Sequence, residues 1–228
     1  MNRILEINTD AMYAIVEAGA RTLDIQQAAH EKGMLYAGDP CSAESCLIGG
    51  NIATNAGGNK AVRYGTTRDQ IYAVEVVTPT GEITNLGARL KKKTTGYCLE
   101  QLVMGSEGTL GIITKATLKL LPLPPFKVDV AAVYDDLNKA VTLVPSLLKA
   151  GLEPTSVEFM DHNFLRSACD YTEIQLPHAD NEKACYLIVS METFSEEDAD
   201  AKLEKLAETE GAEYLHDRLK EVDPASAD

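Results

Sequence analysis

The sequence predicts an α+β fold in two parts, each setting helices against strands, with the join near residue 125. Three observations carry this expectation. Strand-like and helix-like stretches interleave throughout, and after the join they run strand–helix–strand–strand–helix, the order of an antiparallel sheet with helices on one face. Pro122-Leu123-Pro124-Pro125 cannot continue a sheet interior and reads as a linker. The charge changes at the same place: residues 1–125 hold 12 basic and 12 acidic side chains, residues 126–228 hold 9 and 23. The whole net charge of −14 therefore sits on the second part.

In the first part, a mixed α/β stretch, Ile4–Ile7 and Tyr13–Glu17 are short β-prone runs around the turn-like Asn8-Thr9-Asp10. Thr22–Lys32 reads as a helix, with Thr22 as N-cap, Asp24 in the first turn and Gly33 past the end. Leu23, Ala28 and Ala29 supply its apolar side. Ile71–Thr78, Pro79-Thr80-Gly81 and Glu82–Leu86 make a hairpin. Leu110–Leu121 is a long strand, with Ile113, Lys115, Thr117 and Lys119 on one face. After the linker come a strand (Val128–Tyr134), a helix (Asp135–Lys149, stopped by Gly151), a strand (Val157–Met160) and a helix (Asp161–Asp170). Tyr186–Met191 is the next strand, and Ser195–Glu210 a helix whose acidic first turn suits the N-terminal dipole.

Composition excludes several classes. With 228 residues, 45% hydrophobic and 25% charged, the chain can bury a core and is neither disordered nor collagen-like. No apolar run reaches the ~20 residues of a bilayer helix. The start, Met1-Asn2-Arg3-Ile4-Leu5-Glu6, has no signal-peptide pattern. The acidic balance argues against nucleic acid, whose phosphates demand basic surface. Five cysteines (41, 46, 98, 169 and 185) are odd in number and form no CxxC pair, so the sequence predicts no zinc site and a reduced, cytoplasmic setting.

The chemistry concentrates in Asp39-Pro40-Cys41-Ser42-Ala43-Glu44-Ser45-Cys46-Leu47-Ile48-Gly49-Gly50-Asn51-Ile52-Ala53-Thr54-Asn55-Ala56-Gly57-Gly58. Two glycine pairs bracket small residues, so backbone can pass close to a ligand and exposed N–H groups can meet phosphate. Neither a P-loop nor Gly-x-Gly-x-x-Gly is present, and on spacing alone a structural turn and a ligand loop both stay open. A second cluster, Met104-Gly105-Ser106-Glu107-Gly108-Thr109-Leu110-Gly111-Ile112-Ile113-Thr114, leads into a strand whose entry can pair with a planar ring or a sugar.

Ser42, Leu47–Asn51, Asn55–Gly58, Tyr64-Gly65, Thr95-Gly96-Tyr97 and Gly105–Thr114, in this order, resemble the FAD-linked oxidases of the vanillyl-alcohol-oxidase (PCMH-type) class. The nearest branch is that of glycolate oxidase flavoprotein subunits and FAD-dependent D-lactate and D-2-hydroxyglutarate dehydrogenases. Ser156–Asp161 resembles the opening of that family's cap domain. The resemblance implies the second half of a PCMH-type FAD-binding domain (1–125) followed by part of an α+β substrate or cap domain (126–228). It implies that Pro40, Ser42, Leu47, Gly49, Gly50, Asn51, Asn55, Gly57 and Gly58 line pyrophosphate and flavin, and that Glu107, Gly108 and Ile113 bracket the adenine end. None of the four histidines (30, 162, 178 and 216) falls in these loops, so FAD is expected to be noncovalent.

By the same resemblance the function is oxidation of a D-2-hydroxy acid such as glycolate, D-lactate or D-2-hydroxyglutarate, by hydride transfer to flavin. Electrons would pass to a quinone, an electron-transfer flavoprotein or an iron–sulfur partner subunit. A non-catalytic flavin-fold partner subunit, or a metabolite- or nucleotide-binding module without redox activity, are the alternatives. The family's upstream glycine-rich loop and its C-terminal His/His/Glu region find no counterpart here, so the chain resembles an internal fragment. No catalytic or metal-ligating residue is assigned, and FAD binding by this chain alone is expected to be weak or absent. Individual side chains carry paired readings: Lys91-Lys92-Lys93 steers an anionic cofactor or is a solvated loop, and Tyr64 and Tyr97 flank the flavin or belong to core and surface. Glu107 contacts adenine or ribose or caps its turn, and His162 is a base or a surface histidine.

Overall fold

The computed structural model describes residues 1–173 and 181–209 and the backbone of 214–221. His178, Glu210 and the terminal Asp223–Asp228 lie outside the described residues, and the side chain of His216 is likewise not described. The chain separates into two compact units, Met1–Leu123 and a second beginning at Pro124.

The first unit is built on a five-stranded sheet. Its elements are β1 (Ile4–Asn8), β2 (Tyr13–Glu17), α1 (Thr22–His30), β3 (Met34–Leu35), α2 (Ile48–Thr54), α3 (Ala61–Tyr64), a 3-10 turn (Thr67–Gln70), β4 (Ile71–Val77), β5 (Ile83–Gly87), α4 (Leu99–Val103), β6 (Ile112–Lys119) and β7 (Leu121–Pro122). The sheet order is β1-β2-β6-β4-β5, antiparallel throughout. The expected hairpin is β4–β5, with Val77 paired to Ile83 across the turn. Alternation decides the faces. Ala14, Val16, Ala116 and Leu118 point into a core closed by Ile25 and Ala29 of α1 and by Ile48 and Ile52 of α2. Ile15, Lys115 and Thr117 point the other way, onto an open cleft of about 490 Å³. Pro122 ends the chain's run at the edge of a two-stranded ladder opposite Met34, where its missing N–H costs little.

Helix α1 departs from expectation at its start. Arg21 occupies the N-cap position and Thr22 is the first helical residue, fully buried, so Thr22 does not cap the helix. The inward side is Thr22, Ile25 and Ala29 rather than Leu23, Ala28 and Ala29, because the i, i+3, i+7 stripe starts one residue earlier.

The second unit is a four-stranded antiparallel sheet, order β11-β8-β10-β9, from β8 (Phe126–Tyr134), β9 (Ser156–Met160), β10 (Cys185–Thr193) and β11 (Tyr214–Glu221). Helices α5 (Leu137–Lys149) and α7 (Glu196–Thr209) cover one face. There Val128, Val130, Leu187, Val189 and Met191 meet Leu143, Leu147 and Leu206. Helix α6 (His162–Thr172) covers part of the other face through Leu165 against Val133 and Tyr186. The helix starts follow the side chains: Asp136 accepts from the Asn138 amide, Asp161 from the Phe164 amide, and Ser195 Oγ from the Asp198 amide. The antiparallel sheet with helices is as the element order implied, but the helices are not confined to one face, because Leu165 of α6 packs on the side opposite α5 and α7.

Candidate functional site

Three loops of the first unit converge on the seven-residue helix α2. The first is 39–47, which is held to the start of α1 by the Leu23 amide donating to Ala43 O and the Thr22 amide to Cys46 O, each at 3.1 Å. The second is 55–59. Asn55 is left-handed (φ 49°, ψ 53°), ends α2 and turns the chain so that the Ala56 amide reaches Asn51 O at 2.8 Å. The third is 104–109. The Gly105 amide donates to Ile52 O at 3.0 Å and the Glu107 amide to Ala53 O at 2.8 Å, which seats this loop on the end of α2.

The glycines of the motif divide by what surrounds them. A Cβ on Gly58 would stand 1.7 Å from Asp39 O, and one on Gly49 2.9 Å from Ala18 Cβ. Both are therefore fixed by the packing of the chain on itself, and Gly58 brings the second loop against buried Pro40. Among the described residues, a Cβ on Gly50 or Gly57 would meet nothing within 4 Å, and neither residue has a positive φ. Nothing among the described residues requires glycine at these two positions. A partner lying against the loop would.

The side chains of the motif split in the same way. Asn51 is buried and its amide donates to Thr22 Oγ1 at 2.7 Å. Asn55 Oδ1 accepts from Thr66 Oγ1 at 3.0 Å and from the Arg68 amide at 2.9 Å. Both asparagines spend these groups on holding loops in place. Ile113 packs toward the core of the sheet. Leu47, Ser42, Gly50, Gly57, Glu107 and Gly108 are exposed, and Glu107 is held left-handed at φ 50°. Beside it Ser106 Oγ is buried and has no hydrogen-bond partner among the described residues. A buried hydroxyl without a partner is costly, and a ligand acceptor or donor would satisfy it. Gly50, Gly57, Gly108 and the Ser106 hydroxyl thus face outward or lack a partner among the described residues, whereas the amides of 105–107 and the groups of Asn51 and Asn55 are spent on holding the loops, and Ile113 packs inward.

Neighbouring charges are now placed. Lys93 of the basic triplet is ion-paired with buried Glu100, whose second oxygen has no partner, whereas Lys91 and Lys92 are exposed. Lys60, Arg63 and Arg68 lie on the segment following Gly58, with the Arg63 guanidinium 5.3 Å from the centre of the Tyr64 ring. Tyr97 is almost fully exposed. His162 begins α6 in the second unit, with its Nδ1 buried and unpartnered. Among the described residues no cluster of His, Cys, Asp and Glu could hold a metal, and no helix is long and apolar enough to cross a membrane. Sequence reasoning passed over Ser106, Thr66 and the true role of Thr22. Only the packing reveals them, since a lone hydroxyl in a loop carries no pattern.

The fold and the loops define a class. Residues 1–87 match the FAD binding domain model and residues 123–227 the C-terminal domain of FAD linked oxidases. The chain thus carries the two domain types found in FAD-linked oxidases. Among curated relatives it is 42% identical over 177 residues to glycolate oxidase subunit GlcD of Bacillus subtilis, covering 78% of this chain and 38% of that protein. It is 37% identical to D-lactate dehydrogenase of Anaerostipes hadrus, over 91% of this chain and 44% of the relative. It is 35% identical to D-2-hydroxyglutarate dehydrogenase of Stutzerimonas stutzeri, over 89% and 43%. The chain thus spans about two fifths of the length of these relatives. A solved alkyldihydroxyacetonephosphate synthase superposes with a TM-score of 0.74 over 95% of this chain and 41% of its own, at 22% identity, which bears on the fold alone.

Proposed function

We propose that this chain forms part of an FAD-dependent oxidoreductase that oxidises a D-2-hydroxy acid such as glycolate, D-lactate or D-2-hydroxyglutarate. In this reading residues 1–125 are the C-terminal part of the FAD-binding domain and 126–228 part of the substrate-side domain. The observation that carries it is the pair of glycines, Gly50 and Gly57, whose side-chain positions are open although nothing in the fold excludes a side chain there. The relatives' activities support the choice of substrate class.

The residues present fit the cofactor. Gly50 and Gly57 would let a flat or extended group approach the backbone, and the backbone of Glu107-Gly108 together with Ser106 Oγ would meet its polar end. Pro40, Ser42, Leu47, Gly49 and Gly58 would complete the cradle. FAD, when bound, supplies the two-electron acceptor for oxidation of the hydroxy acid. No histidine lies in these three loops, so the loops themselves would hold it without covalent attachment. The first unit contributes no net charge of its own, so the pyrophosphate meets no opposing field from residues 1–125, and Lys60, Arg63 and Arg68 sit beside the loop. The enzyme acts in the cytoplasm and passes its electrons to an electron-transfer flavoprotein or an iron–sulfur partner subunit.

The test is anaerobic addition of D-lactate, glycolate, D-2-hydroxyglutarate and their L counterparts to the flavin-loaded protein expressed from the complete reading frame. Loss of the visible flavin absorption with a D-2-hydroxy acid and not with its L form is the expected result. A flavin that none of them bleaches, or a protein that takes up no flavin, contradicts the proposal.

A further inference from the structure

We infer that Thr22 is a positioning residue for the flavin loop: its buried hydroxyl joins the two ends of Cys46–Asn51 and so fixes where Gly49 and Gly50 stand. This rests on the FAD reading of that loop. Thr22 is fully buried, and Arg21 holds the N-cap position of α1, so the threonine hydroxyl is not spent on its own helix. Oγ1 instead accepts from the Asn51 amide at 2.7 Å and from Cys46 Sγ at 3.2 Å, while the Thr22 amide donates to Cys46 O at 3.1 Å. The backbone on either side is paired in the same direction. Ile48 N donates to Ala20 O at 2.9 Å and Gly49 N to Ala18 O at 2.8 Å. Residues 18–22 therefore act as a rail on which 46–51 is laid, and Thr22 is the side-chain fastening at its end. Removing the hydroxyl leaves the buried Asn51 amide without its acceptor, and the segment must shift to satisfy it. A cofactor held by close backbone approach tolerates displacements of only ~0.5 Å.

Thr22→Val keeps the shape and removes the hydroxyl, and Thr22→Ser keeps the hydroxyl. Both are made in the complete protein, stripped of flavin and titrated with FAD by fluorescence quenching, with the bound-flavin visible spectrum recorded. Leu143→Ala, a core substitution in the second unit, serves as a destabilised control. Thr22→Val is expected to weaken FAD at least tenfold and to alter the bound spectrum, and Thr22→Ser and Leu143→Ala each to stay within twofold of the parent. Should Thr22→Val not fold, Cys46→Ala removes one of the two donors and gives the same split at about threefold. Val or Cys46→Ala proteins that bind as the parent does, or a Leu143→Ala protein weakened equally, overturn the inference alone. A parent that binds no flavin overturns the FAD reading and this inference with it.

Discussion

Gly50→Ala separates a glycine kept for the fold from one kept for a ligand. Gly50 lies in α2 with no atom within 4 Å of its would-be Cβ and no positive φ. Alanine in a helix is favoured over glycine by about 0.5–1 kcal/mol, partly through the unfolded chain. For a chain of this size that is a rise in Tm of about 1–4 °C. The same methyl group would project from the loop into the space assigned to FAD. Overpacking a close contact costs about 1–3 kcal/mol, a loss of about 5- to 150-fold in affinity. Thermal unfolding followed by circular dichroism, with FAD titration of the complete protein, reads both quantities. Gly58→Ala is the internal contrast: its Cβ would stand 1.7 Å from Asp39 O, so it must displace the loop and lower stability as well as affinity. If Gly50→Ala lowers Tm, or raises it while leaving FAD affinity intact, the division of the glycines is wrong.

Other substitutions test the scaffold. Glu17 accepts the Arg3 guanidinium and backbone amide at 2.7 and 2.9 Å, and these bonds hold its carboxyl at about 2, below the ordinary value of 4.5. A depressed carboxyl stabilises fully above its unfolded value and loses that contribution as pH falls from about 4.5 toward 2. Urea unfolding at pH 6 and pH 3 should therefore show a smaller pH difference for Glu17→Gln than for the parent. Lys93→Ala leaves buried Glu100 without its cation and should cost about 3 kcal/mol in chemical denaturation, against less than about 0.5 for exposed Lys92→Ala. Leu147→Ala empties a fully buried position between α5 and the second sheet and should cost about 2–5 kcal/mol by the same measurement.

Much of this molecule was legible before its fold was seen, and the exceptions share a cause. The hairpin β4–β5, the extent of β6 and the elements from β8 to α7 follow from local pattern, since β-formers, turn residues and caps act over a few positions. β11 carried no such signal, and a register shift in the β4–β6 pairing turns Ile113 to the face opposite Lys115 and Thr117, with which alternation had grouped it. The two glycine clusters stood out as a candidate site. What pattern could not separate is Gly49 from Gly50, or Gly57 from Gly58, because adjacent identical residues differ only in what lies across from them: Ala18 and Asp39 in one case, open space in the other. Asn51 and Asn55 looked like ligand contacts because small polar residues in a glycine loop do, yet their partners, Thr22 and Thr66, lie 29 and 11 residues away in sequence. Thr22 itself was misread by one position, as the cap of a helix whose cap position falls on Arg21. Lys93 differs from Lys91 and Lys92 only through Glu100, seven residues on.

The account stands on the claim that the three loops around α2 hold FAD. Titrating the isotope-labelled 228-residue chain with FAD to millimolar concentration, and following backbone amides by NMR, reports this even when binding is weak. The predicted result is shift changes confined to Gly49, Gly50, Gly57, Gly58, Ser106, Glu107 and Gly108 and their immediate neighbours, with the second unit unmoved. Changes centred instead on the second unit or on the open sheet face around Ile15 and Thr117 would contradict it.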